Sequence, residues 1–163
     1  MSKLKYLDRA GASAKLLCGL SIALASAPAW SDTDKAKYTM AVMSETAYGA
    51  RIMAGNYAQA IEKINQKAGR YDAFSKGTNL CVAYTKSGEL DLAEAACEAA
   101  VIAAGSQDRN LAIALSNRGV LHAVKGQSEQ AREDFDAALA LDTSLSAPKV
   151  NLARLGNEET GPA

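Results

Sequence analysis

Cys81 and Cys97 are the first side chains in this sequence whose type and spacing suggest chemistry, standing 16 residues apart on either side of Gly88. That spacing suits facing positions on two antiparallel helices joined by a glycine turn. Two thiols so placed form a structural disulfide in an oxidising compartment, or remain two buried core thiols, a common role for cysteine. A redox-catalytic pair stands closer in sequence, as in Cys-x-x-Cys, and is exposed. His122 is the one histidine, so no cluster exists to hold a metal and no second candidate base to activate a nucleophile. Glu129, Glu133, Asp134 and Asp136 read as a solvated helix face rather than an acid–base pair. No Gly-x-x-x-x-Gly-Lys phosphate loop occurs. Neither an enzyme nor a cofactor nor a metal site is expected.

The elements around these residues follow from composition and pattern. The chain has 163 residues, 48% hydrophobic and 22% charged, which suits one globular domain and is too polar for a multispanning membrane protein. Lys plus Arg and Asp plus Glu number 18 each, so no basic excess exists to support nucleic-acid binding. Three prolines and frequent alanine favour helices. At the N-terminus, Lys3, Lys5, Arg9 and Lys15 precede an apolar run from Leu16 to Ala25, and Ala27-Pro28-Ala29 or Ala29-Trp30-Ser31 supplies a small-x-small cleavage site. This is the grammar of a secretory signal peptide over residues 1–31. The apolar stretch from Leu16 to Ala29 is shorter than the roughly 20 residues a membrane-spanning helix needs. Removing it leaves 14 Lys plus Arg against 17 Asp plus Glu and takes away Cys18, so the cysteines become an even pair. The expected location is periplasmic or secreted, with no stable membrane insertion after cleavage.

Three segments then align. Gly55, Gly88 and Gly126 are each followed five residues later by Ala60, Ala93 and Ala131, at intervals of 33 and 38. Behind each alanine runs an apolar stripe at helical spacing: Ala60, Ile61, Ile64, Ala68; Ala93, Cys97, Ala100, Val101, Ala104; Ala131, Phe135, Ala138, Leu139. Each unit reads as helix, glycine turn, helix, and none buries its apolar face alone. The polar stretch 105–110 accounts for the longer interval as a lengthened loop, and 146–156 reads as a capping helix with Ser146 at its start and Pro148 in its first turn. Residues 32–39 read as a polar lead-in and 157–163 as a frayed tail.

On these residues the chain resembles the tetratricopeptide repeat family over roughly residues 40–155. The third unit matches through Leu115, Gly119, His122, Gly126, Ala131, Phe135 and Ala138. The second matches through Leu80, Tyr84, Gly88, Ala93 and Ala100, with Cys81 at the small close-packing position and Cys97 where an aromatic is usual. The first unit departs from the pattern at Arg51, Lys67 and Tyr48, the last standing where a small residue belongs. The resemblance implies an all-α solenoid of about three helix-turn-helix units (residues 41–70, 74–104 and 111–143) plus the C-terminal cap, seven helices in a right-handed superhelix. Leu80, Tyr84, Ala93, Leu115, Gly119, His122, Ala131, Phe135 and Ala138 should form its core.

The resemblance also implies that the first helices of the units line a concave face. Asn79, Asn117 and Asn151 fall at equivalent places in three successive first helices, with Val82, Thr85 and Val120 flanking them. Asparagine there either hydrogen-bonds an extended peptide or braces the neighbouring repeat. The family's carboxylate clamp is not matched, since Glu45, Thr78 and Ser116 occupy its places. The expected function is a noncatalytic scaffold holding a protein or peptide partner. The alternative is a membrane-tethered structural component of an envelope complex with its N-terminal segment uncut.

Overall fold

The computed structural model describes residues 37–46, 48–66 and 72–159. The signal segment, Cys18, the residues around both cleavage sites, Lys67 and the last four residues lie outside these. The described residues are all-helical: α1 (Gly49–Met53), α2 (Tyr57–Gln66), α3 (Ala73–Ser87), α4 (Leu90–Ala104), α5 (Asp108–Val124), α6 (Ser128–Leu141) and α7 (Ser146–Glu159), with no strand. Each helix packs on its chain neighbours, α2 on α3, α4 on α5 and α6 on α7, while α3 touches α5 and α5 touches α7.

The three glycine turns are built alike. Gly55, Gly88 and Gly126 all have positive φ, a conformation that glycine adopts without steric cost. At each, the glycine N–H bonds the carbonyl three residues back and the next N–H reaches five back: Asn56 to Arg51, Glu89 to Tyr84, Gln127 to His122. This paired closure satisfies the last carbonyls of the outgoing helix. The incoming helix then starts identically, with Ala60, Ala93 and Ala131 N–H donating to Asn56, Glu89 and Gln127 carbonyls. All three alanines are fully buried.

The close contact within each hairpin also repeats. In the third unit, a Cβ on Gly119 would lie 2.7 Å from the Phe135 ring and 3.1 Å from the Ala131 carbonyl oxygen. The equivalent positions 38 residues earlier are Cys81 and Cys97, which stand at disulfide distance with Cα atoms 4.6 Å apart. In the first unit the small residue is replaced by Tyr48, which is buried beside Ile52 and Ile64. A ring cannot occupy a site shaped for glycine or cysteine, and α1 begins only after it. The helix expected from residue 41 is therefore five residues long, and residues 39–43 run extended.

Other expectations change in detail. The 105–110 stretch contributes only a short turn, because α5 starts at Asp108 and absorbs the remainder as helix. α7 continues through Glu159, so the helix extends into the expected tail. Most of the expected core is buried, but His122 is only partly so. Its Nδ1 lies 2.8 Å from Gln127 Oε1, and its Nε2 is 3.6 Å from the Asp134 carboxylate. Asp134, expected on the solvated face, is itself buried. Arg118 grips it with two bonds of 2.9 and 2.8 Å and reaches Glu98 at 3.0 Å. These bonds, Asp134's first, hold the guanidinium charged more firmly than usual.

Candidate functional site

Asn79 on α3, Asn117 on α5 and Asn151 on α7 are all buried, and all three face the same piece of chain. Asn117 Oδ1 accepts from the Ala41 N–H at 2.8 Å, while its Nδ2 donates to the Ala41 carbonyl at 2.8 Å. Asn151 does the same to Thr39, at 2.9 and 2.8 Å. Asn79 does so to Met43, at 2.9 and 3.3 Å, and also donates to Thr46 Oγ1 at 2.8 Å. The extended segment that these amides hold here belongs to their own chain.

The register has a simple cause. In an extended backbone the N–H and C=O of one residue point to the same edge, and those of the next residue to the other. Residues 39, 41 and 43 therefore present their polar groups to one side. A carboxamide, with one acceptor and a donating NH2, offers each of them the pairing that a neighbouring strand would give. The segment runs against the order of the helices, with Thr39 on the last and Met43 on the first.

Side chains alternate accordingly. Tyr38 is buried in a cluster with Val120, Phe135 and Leu155, against which Met40 also packs. Met40 and Val42 pack on a second cluster that holds Val82, Leu80 and Tyr84. Val82 and Val120 are thus brought to the segment as apolar partners. Thr85 is buried, and its hydroxyl donates to the Cys81 carbonyl of its own helix at 2.7 Å.

The leading end of the segment is held by charged groups. Lys86 Nζ donates to the Tyr38 carbonyl at 2.7 Å, and burial followed by the nearby Arg154 charge lowers its pKa. Arg154 donates to the Lys37 carbonyl and, at 3.3 Å, to Thr39 Oγ1. Glu158 accepts from the Tyr38 hydroxyl at 2.8 Å and pairs with Lys37 at 2.5 Å. Sequence reasoning missed this segment by treating residues 32–39 as a patternless lead-in and residues from 41 on as the first repeat helix. Its signal was the alternation of Tyr38, Met40 and Val42, a strand period that is short and sits beside helical repeats.

Among the described residues no group of three or more His, Cys, Asp or Glu is placed to hold a metal ion, and no helix is long and apolar enough to cross a membrane. No protein-family model, curated protein or solved structure matches this chain, so the functional reading rests on its own geometry.

Proposed function

We propose that this chain is a noncatalytic binding module of tetratricopeptide type, acting outside the cytoplasm, which holds a protein or peptide partner in extended conformation. The observation that supports it is the asparagine ladder: three amides, on α3, α5 and the capping helix α7, engage the main chain of alternate residues. Such contacts recognise an extended backbone with limited regard to its side chains. Two strand residues advance about 6.7 Å, whereas packed helices stand about 8–10 Å apart. Converging amides on the inner side of a curved stack reconcile the two, as the right-handed superhelix of the family requires. The signal-peptide grammar supports export, and the cysteine pair at disulfide distance is compatible with an oxidising compartment.

The test compares partner affinity for wild type and a triple Asn79→Ala, Asn117→Ala, Asn151→Ala chain, with helical content checked by circular dichroism. Each lost hydrogen bond costs roughly 0.5–1.5 kcal/mol, so the expected loss is one to three decades. Unchanged affinity in a folded triple variant moves the site to the convex face or the 105–110 segment. The intact mass of exported protein, shorter by about thirty residues, separates this module from the tethered alternative.

A further inference from the structure

Residues 37–43 lie where a partner peptide would have to lie. We propose that this segment is a tethered pseudo-ligand, and that the partner displacing it is an extended polypeptide segment. That partner carries apolar side chains at alternate positions and a tyrosine at its leading end, and it runs against the helix order. The proposal rests on the peptide-holding reading above and adds to it the occupant, its pattern and its regulation.

Three features carry the inference. First, within the segment the ladder contacts only N–H and C=O groups, those of residues 39, 41 and 43, so it reads an extended backbone rather than side chains; the one further contact of these amides is Asn79 to Thr46 Oγ1 in the following turn. Second, discrimination comes from the inward positions. The Tyr38 ring is buried with its hydroxyl on Glu158, while Met40 and Val42 cover the clusters containing Val120 and Val82. Third, an empty groove would expose those valines to water and take from the three carboxamides their main-chain partners in the segment, which is unfavourable. The occupied groove is therefore favoured over the empty one, and a partner competes with the segment for it.

The connection to α1 fits such an exchange. Ser44 and Glu45 are exposed, and Thr46 anchors the turn by accepting from the Gly49 N–H at 3.1 Å. A tether this short keeps the segment at an effective concentration in the millimolar range. A partner that matches only the main chain cannot compete with it. One that also fills the tyrosine and alternate apolar positions can.

The experiment uses the full-length chain and a fluorescent peptide of residues 35–46, read by anisotropy. Ala41→Pro removes the N–H that Asn117 accepts, and Tyr38→Ser removes the buried ring and the Glu158 bond. Both changes lie outside the helices. Either should raise the affinity for the added peptide tenfold or more over wild type, and adding Asn117→Ala should abolish the gain. A third sample is wild type cut at a protease site engineered into the Ser44–Glu45 turn. If the cut chain takes up the peptide while neither uncut variant binds it better than wild type, the groove holds peptides but the segment does not compete. That result overturns the proposal and leaves the binding reading standing. If the cut chain also refuses the peptide, both fall.

Discussion

A carboxamide offers an acceptor and a donor a little over 2 Å apart, which is why three asparagines can replace a neighbouring strand. The middle one, Asn117, has no polar contact with the segment other than its two bonds to Ala41. Asn117→Ala should leave that N–H and C=O without protein partners and cost about 1–3 kcal/mol in thermal unfolding. A neutral melt would mean that the ladder contributes no stability. Asp72 supports a different prediction. Its carboxylate accepts from the Ser75 N–H at 2.8 Å at the start of α3, and the bonds to Ser75 hold its pKa below the ordinary 3.8. A depressed carboxyl pKa stabilises the fold above the unfolded value and ceases to do so as pH falls through the folded one. Asp72→Ala should therefore cost about 0.5–2 kcal/mol near neutral pH, and the difference should vanish in melts below the folded pKa. At this scale the sequence was informative about residue types. Asparagine recurrence at equivalent positions was legible, whereas the Arg118–Asp134 pairing was not, because a helix-face pattern does not reveal which carboxylate is buried against a guanidinium.

The helical hairpins were legible because each carries its own punctuation, a glycine and then an alanine five residues on. The boundaries that failed had local causes: Tyr48 shortened α1, and Asp108 and Arg109 joined α5 rather than a loop. The 37–43 segment escaped because three alternating side chains are too few to stand out against helical stripes. Three predictions belong to the hairpins. Gly119→Ala places a methyl against Phe135 and the Ala131 carbonyl, where the backbone cannot yield easily, and should cost about 1–3 kcal/mol. Ala131→Leu should do the same, since Ala131 is fully buried at that crossing. Unchanged melts for both would count against the close contact. Cys81 and Cys97, at the equivalent crossing one unit earlier, should resist alkylation in protein isolated without reductant from the oxidising compartment that the proposed export requires. Reduction should then lower stability by roughly 3 kcal/mol while leaving binding largely intact. Two labelled thiols in unreduced protein would contradict the bridge.

Among the described residues, the fold is closed by a segment that comes first in sequence and lies in space across α3, α5 and α7. Its middle is held by uncharged amides, so raising salt should weaken its docking less than the asparagine substitutions do. Hydrogen exchange at individual amides tests the ladder most directly. The N–H groups of Thr39, Ala41 and Met43 are donated to asparagine oxygens and should exchange slowly. Those of Met40 and Val42 point to the other edge and should exchange fast. Asn117→Ala should speed exchange at Ala41 more than at Thr39 or Met43. Uniformly fast exchange from residue 39 to residue 43 in the folded protein would contradict the account.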